Sequence, residues 1–460
     1  MSDSLKGYKG RALEILKSFN MRVWSEAIIK TTRGEFKGVL LPRSENDDDI
    51  HIVIKLATGY NIGISIDTIQ DMQEFNFKEI QYKIPEREFP TSPEKKNIKL
   101  FGTGGTIASR LDYRTGAVIP AFSPGELYGA VPELADICNL STEKLFAVFS
   151  ENMGPQQYIT LAKAIGEEIK KGTHGIIIGH GTDTMSHTAA AISFMVQNSP
   201  IPIVMVGSQR SSDRPSSDAA LNLIHAAKTA ADSDIAEVMV CMFGPTSDEY
   251  GLLHRGTRVR KMHSSYRSTF RTIGDIPIAM VDRNNITHLR TDYNKRRNDK
   301  AVTITPVFEE RVTLLYYYPN MNPDIIDAIV DLGYKGIVIA GTGLGHVNKL
   351  IYPAIKRAVA RGVSIYMTVQ TLWGYVNMFV YDTGRDLMSA GIIPTENMLP
   401  EVAYCKLGWA LGQTSDLNKV KDIMLSPVNG DITEREPYNG YLIYQGGIPE
   451  VEEFIKKFHK

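Results

Sequence analysis

From residue 98 onward the chain repeats one pattern: a short apolar run, a glycine-rich turn, then an amphipathic stretch long enough for a helix. The runs NIKLF, KLFAVFS, GIIIG, IVMVG and EVMVCMF read as strands, and the periodicity predicts helices at 155–171, 185–197 and 216–231. In the first helix Ile159, Ala162, Ile165 and Ile169 share one stripe, and Gly172 stands where a helix stops. Strands apolar on both faces must be buried on both. Alternation with helices supplies the crossovers that parallel neighbours need, so the pattern predicts an α/β fold with a parallel sheet covered on both sides.

The rest of the chain reads differently. Between Met21 and Glu74 the segments VWSEAIIK, GEFKGVLL, DIHIVIKL and YNIGISI alternate or cluster apolar residues, with turns at TTRG, RSENDDD and ATGY. Four or five short strands in this span predict a small SH3-like β-barrel, with Asp47, Asp48 and Asp49 as an exposed acidic turn. IPEREFPTSPEKKN, with three prolines among charges, reads as a linker. After a polar crossing, THLRTDYNKRRNDKA, a second α/β series follows: TLLYYYP, a helix between Pro323 and Gly333, GIVIA, a helix at 347–361, and SIYMTV. The expected division is a barrel at 1–83, a linker at 84–97, a larger α/β domain at 98–290, a crossover at 291–312 and a smaller α/β domain at 313–460.

Composition narrows the function. A formal net charge of -1 supplies no basic field for gripping phosphate backbones. The three cysteines, Cys138, Cys241 and Cys405, are far apart with no CxxC pair, which points to buried thiols rather than a disulfide framework or a zinc site. No His/Asp/Glu set has metal-ligand spacing, so no metal is expected. The start, MSDSLKGYKGRALEILKSFN, is broken by charges, and no run reaches the ~18 apolar residues of a membrane span. The expectation is a cytoplasmic protein.

Three predicted strands end in similar loops: FGTGGTIAS from 101, GHGTDTMSH from 179 and AGTGLGHVN from 340. Ligands bind at the carboxyl ends of parallel strands. The first loop is neither GxGxxG nor GxxxxGK[ST], which argues against dinucleotide and phosphate sites. Hydroxyls carry the signal instead. Thr182 and Asp183 stand side by side after GIIIG, and Thr103 holds the equivalent place after NIKLF. Threonine is a weak nucleophile and needs a base in a desolvated setting. Lys261, in HRGTRVRKMH, is a candidate for that base. On spacing alone the alternative stays open that these threonines only cap turns and helices. The tryptophans Trp24, Trp373 and Trp409 lie in apolar patterns and read as core residues, and backbone contacts account for His180 as well as proton donation does.

TGGTIA at 103–108 and HGTDTM at 180–185 closely resemble the two signature motifs of the L-asparaginase family. The likeness continues through GSQR…RPSSDAALNL at 207–223 and spans roughly residues 97 to 445. It implies that family's larger and smaller α/β domains and amide hydrolysis without a cofactor. It implies Thr103 as nucleophile, with Tyr113 in the 109–120 loop contacting its hydroxyl. Thr182, Asp183 and Lys261 would form a second triad, in which Lys261 deprotonates Thr182 or a water bound to it. Asp183 would help seat the substrate's amino group and Ser150 its α-carboxylate, while amides around Gly181 and Thr182 would face the oxyanion. For Ser150 a capping role stays open. The family implies a homodimer in which the neighbour lends an acidic residue. LWGYVNMFVYDTGRD, the segment aligned there, has no acid before Asp382, which leaves the choice between asparagine and glutamine open.

A barrel and linker ahead of TGGTIA are similar to the D-subunit family of archaeal-type glutamyl-tRNA(Gln) amidotransferases, as are PRSENDDDIHIVIKLATGYNIGI and YDTGRDLMSAGIIPTENMLPEVAYCKLGWALGQT. That resemblance implies glutamine hydrolysis through a threonine acyl-enzyme, with ammonia passed to an E subunit in a heterotetramer. The partner would use ATP and Mg and would hold the tRNA. A stand-alone cytosolic L-asparaginase and a non-catalytic scaffold remain the alternatives.

Overall fold

Two strand periodicities shape the molecule. The computed structural model describes residues 5, 7–43, 47–57, 61–77, 89–104, 131–210, 216–296, 301–438 and 440, together with the backbone of 109–112 and 117–120. Near the N-terminus alternate side chains point inward, as in β1 (Ser25–Thr31), where Ala27 and Ile29 are buried between more exposed neighbours. With β2 (Gly34–Leu40), β3 (His51–Leu56), β4 (Asn61–Ser65) and β5 (Ile69–Phe77) it forms one antiparallel sheet, ordered β4-β3-β2-β1-β5. Two register shifts between β1 and β5 bend the pairing where the chain returns to β1. The helix Gly10–Ser18, not anticipated from sequence, packs Ala12 and Leu16 into this sheet's core.

The acidic turn is more than a solvated loop. Asp47 and Asp48 both bond the Arg43 guanidinium, which is itself buried. That contact, with the Ile50 amide, holds the Asp48 carboxyl well below the usual carboxylate range.

Beyond the N-terminal unit, β6 (Asn97–Gly102), β9 (Asn139–Lys144), β10 (Gly175–Gly179), β12 (Ile203–Val206) and β13 (Val238–Phe243) are parallel. The antiparallel strands β14 (Gly251–Arg255), β17 (Ala279–Val281) and β18 (Ile286–His288) complete an eight-stranded sheet ordered β18-β17-β14-β13-β12-β10-β6-β9. Side chains of the central strands alternate between two cores. Ile176, Ile178, Met205 and Val240 meet the helices Pro155–Lys170 and Met185–Met195, whereas Ile177, Val204, Val206 and Met239 meet Ala219–Asp232. Cys138, Cys241 and Cys405 are free thiols buried in these cores.

Among the described residues three two-stranded ribbons are separate from this sheet: β7 (Ser109–Asp112) with β8 (Ala117–Pro120), β11 (Val196–Gln197) with β19 (Thr303–Ile304), and β15 (Val259–Lys261) with β16 (Phe270–Thr272). A second parallel sheet is ordered β20 (Val312–Tyr316), β21 (Gly336–Gly341), β22 (Ser364–Val369) and β23 (Ile393–Pro394). One face packs on Asp324–Asp331, Tyr352–Ala360 and Asp382–Ser389. The other packs on Pro400–Gln413, which lies against Met185–Met195 of the first unit, with Trp409 stacked on Phe194 at 5.8 Å. One continuous core therefore joins the two sheets.

The sequence reading misplaced one strand. KLFAVFS was read as the strand after NIKLF, but the paired segment is Asn139–Lys144 and residues 145–149 are irregular. β9 is an edge strand with only Leu140 buried, so its sequence carries little apolar signal. The apolar run crosses the strand ends, held by Leu145 and Phe146 amides on the Gly102 carbonyl.

Candidate active site

Strand order fixes where a site can form. β6 is the first strand of the large sheet, its sequence successor β9 lies on one side, and β10 lies on the other. The chain thus changes direction across the sheet between β6 and β10, the switch point at which loops diverge and leave a crevice. Gly102 pairs with Gly179 in register, so Thr103 and His180 leave neighbouring strands at the same height.

Thr103 is buried, and both its amide and its hydroxyl donate to the Gly179 carbonyl at 3.0 Å. Its own carbonyl accepts from the Val148 amide at 3.3 Å. Gly104 follows at φ +118°, a conformation that side chains rarely adopt, and a Cβ there would lie 2.0 Å from the Val148 carbonyl oxygen. The glycine directly after Thr103 therefore has a steric cause.

On the second loop, Lys261 Nζ donates to Thr182 Oγ1 at 2.9 Å and to Asp183 Oδ1 at 2.6 Å. A lysine thus meets two adjacent residues, 79 and 78 positions earlier in the chain, in one hydrogen-bonded group. Thr182 and the Lys261 side chain are largely shielded, whereas the Asp183 side chain is 68% exposed and available to a further partner. No described residue accepts a hydrogen bond from the amides of Gly181, Thr182 or Asp183, which precede the helix Met185–Met195. Amides in that position favour negative charge.

Ser150 belongs to the same place. It opens a short turn, Ser150–Asn152, rather than ending a strand, and its carbonyl accepts from Thr184 Oγ1 at 2.5 Å. A Cβ on Gly181 would fall 2.8 Å from Ser150 Cβ and 2.9 Å from its Oγ, so only glycine lets the two loops meet this closely. The structure therefore brings together Ser150, Gly181, Thr182, Asp183 and Lys261, with Thr103 on the adjoining strand end. Tyr113 lies outside the described residues, between the paired strands β7 and β8.

His180 has both nitrogens engaged: Nδ1 donates to the Gly181 carbonyl at 2.7 Å and Nε2 accepts from Thr188 Oγ1 at 2.9 Å. Burial pushes it down to about 4, so it is a neutral brace for the turn. Of the tryptophans, Trp409 fills the shared core, while Trp24 and Trp373 are half-buried.

Sequence reasoning passed over Asp218. Its buried carboxylate accepts from the amides of Gln209 and Arg210, and from Asn222 Nδ2 at 2.8 Å. Asn222 also bonds the Gly207 carbonyl, so the pair holds the loop after β12 against the site. The signal was an Asp and an Asn four apart on one helix face. Among the described residues no helix is long and apolar enough to cross a membrane, and no group of three or more His, Cys, Asp or Glu could hold a metal.

Known proteins share this architecture. The asparaginase N-terminal domain profile matches residues 97–294, the glutaminase/asparaginase C-terminal domain 311–424, and the GatD N-terminal domain 25–73. The thermostable L-asparaginase from Thermococcus kodakarensis superposes with a TM-score of 0.66 at 30% identity, covering 73% of this chain and 99% of that one. L-asparaginase I from Vibrio cholerae gives 0.63 at 27% identity, covering 74% and 99%. Similarity extends further to the D subunit of the glutamyl-tRNA(Gln) amidotransferase of Pyrococcus furiosus, 49% identical over 445 residues, with 94% of this chain and 100% of that protein covered. For the corresponding D subunit of Thermococcus kodakarensis the identity is 50% over 409 residues, with 88% and 92% covered. With an asparaginase-type body, a GatD N-terminal domain and identity of this extent across both, the chain belongs to the D-subunit family of glutamyl-tRNA(Gln) amidotransferases.

Proposed function

We propose that this chain is the glutamine-hydrolysing subunit of a tRNA-dependent amidotransferase, releasing ammonia for conversion of Glu-tRNA(Gln) to Gln-tRNA(Gln). The observation that carries amide hydrolysis is Lys261 Nζ hydrogen-bonded to both Thr182 and Asp183 beside the switch point. The near full-length similarity to D subunits, N-terminal unit included, favours the subunit role over a stand-alone asparaginase.

In this reading the Thr103 hydroxyl attacks the side-chain amide carbon of glutamine. Its proton passes to the departing nitrogen, ammonia leaves, and an ester remains on Thr103. Water then cleaves the ester to glutamate and restores the hydroxyl. The amides of Gly181 and Thr182 are aimed at the oxyanion of both tetrahedral species. Lys261 takes the proton from Thr182 or a water it holds. Asp183 seats the α-amino group, Ser150 the α-carboxylate, and Tyr113 closes over Thr103. The chain works as a homodimer joined to an E subunit in a heterotetramer. That partner binds ATP and Mg, activates the glutamyl end and holds the tRNA, in keeping with a net charge of -1 here. The units are a barrel at 1–83, a linker at 84–97, an α/β domain at 98–290, a crossover at 291–312 and a second α/β domain at 313–460.

One observation favours a second assignment: the hydroxyl that meets Lys261 is that of Thr182, while that of Thr103 is spent on the Gly179 carbonyl. Acid quenching during glutamine turnover, followed by peptide mapping of the acyl ester, separates the two. An ester on the Thr103 peptide supports the first assignment and one on the Thr182 peptide the second. Hydrolysis with no ester, and no γ-hydroxamate in the presence of hydroxylamine, would remove covalent catalysis from the account.

A further inference from the structure

Lys261 sits at the end of β15, on a ribbon that stands apart from the main sheet. A long side chain there must aim its Nζ at two groups on a different loop, so something has to fix the ribbon. The side chains of residues just before it find their partners outside the ribbon's own unit. Thr257 Oγ1 donates to the Asn429 carbonyl at 2.7 Å. Arg258, fully buried, donates through Nε to the Gly430 carbonyl and through its two terminal nitrogens to the Asn397 carbonyl and Asn397 Oδ1, each at 2.8 Å. Arg260 donates to Glu401 Oε2 at 3.1 Å, with the Tyr316 hydroxyl at 3.4 Å. Every one of these acceptors belongs to the second α/β unit.

The acceptors are themselves held rigidly. Glu401, only 5% exposed, lies in the first turn of Pro400–Gln413, the helix packed against Met185–Met195. From the same helix Lys406 reaches Asp431 at 2.6 Å in an ion pair with no solvent exposure, and also bonds the carbonyls of Met424 and Ser426. Asp431 in turn accepts from the Val428 amide. This fixes the 426–433 loop that presents Asn429 and Gly430 to the ribbon. A fully buried cation on each side of the contact is costly to place unless its partners are fixed, so the arrangement resists small shifts. The helix Met185–Met195, which begins directly after Thr182, Asp183 and Thr184, rests on the same second-unit helix. Both halves of the Lys261 group are therefore set by one element, Pro400–Gln413.

We propose that the second α/β unit is a seat for the base: Glu401, acting through Arg260, and Asn397, acting through Arg258, are positioning residues that hold Lys261 against Thr182 and Asp183. This deepens the function proposed above and rests on it. The second unit then has a role in the chemistry even where it contributes no atom that touches the reacting amide. A displacement of about an ångström at such a site is enough to cost a large factor in rate.

The test uses the full-length chain under conditions where the unaltered chain releases ammonia from glutamine. Glu401→Gln keeps the shape and removes the charge, leaving Arg260 free to reach solvent. The expected result is a fall in kcat of about ten-fold with KM held within about two-fold, because substrate contacts are untouched. Placed on Lys261→Met, the same change should cost nothing more, since there is no longer an Nζ to position. Arg260→Lys, which keeps a cation opposite Glu401, should retain most of the rate. If Glu401→Gln does not fold, Tyr316→Phe applies a milder form of the same test, removing one hydroxyl from Arg260 and lowering kcat about two- to three-fold. An unchanged kcat in the folded variant, or a loss that multiplies with that of Lys261→Met, would overturn the proposal. A chain that needs Lys261 but ignores Glu401 contradicts the seat alone, whereas a chain that hydrolyses no amide contradicts the function on which it rests.

Discussion

At the scale of single residues, the proposed chemistry rests on hydroxyls whose hydrogen-bond partners are distant in sequence. Thr182, Asp183 and Lys261 share two hydrogen bonds through one Nζ, so they should behave as a unit. Thr182→Val and Lys261→Met are each expected to lower kcat/KM by roughly three orders of magnitude, and the double variant by little more than either. Steady-state kinetics on the four proteins checks this, and fully additive losses would show that the residues act separately. Much of this site could be read from sequence because TGGTIA and HGTDTM state their geometry locally: glycine where the backbone turns or another loop presses close, hydroxyls at strand ends. Arg258, Arg260, Asn397 and Glu401 could not be read in the same way. Their pairing spans 139 and 141 positions, and each looks like an ordinary surface residue until the two units are brought together.

At the scale of elements, the central strands announced themselves because burial on both faces leaves an unbroken apolar run. β9 and the helix Gly10–Ser18 did not, the one being a polar edge and the other having only Ala12 and Leu16 fully buried. Element packing also sets a pH dependence. His180 after β10 and His225 on Ala219–Asp232 are pushed down by burial to about 4, and His254 on β14 to about 3. All three are neutral in the folded chain, whereas an unfolded histidine takes up a proton near 6.5. As pH falls below about 6.5 the unfolded state binds protons that the folded state refuses, so stability is complete above that point and declines below it. Each histidine contributes a slope of about 1.4 kcal/mol per pH unit down to its folded value, or about 4 kcal/mol per unit together. Urea midpoints measured at steps between pH 7 and pH 4.5 should fall steeply, and a flat midpoint across that window would contradict the burial of neutral imidazoles.

At the scale of the whole molecule, the eight-stranded sheet carries the threonines, the ribbon carries the lysine, and the second sheet braces both through a shared core. The N-terminal sheet contributes none of the residues gathered at the site, which suits a role in assembly rather than hydrolysis. The most direct measurement of the central claim follows nitrogen from amide-labelled glutamine, with the full-length chain alone and then with its partner subunit, ATP, Mg and glutamylated tRNA. The account predicts slow ammonia release from the chain alone, a large acceleration in the complete mixture, and label recovered in tRNA-bound glutamine with little dilution by excess unlabelled ammonium. Rapid hydrolysis of asparagine or glutamine by the isolated chain, unaffected by partner and tRNA and with all label in bulk ammonia, would contradict it.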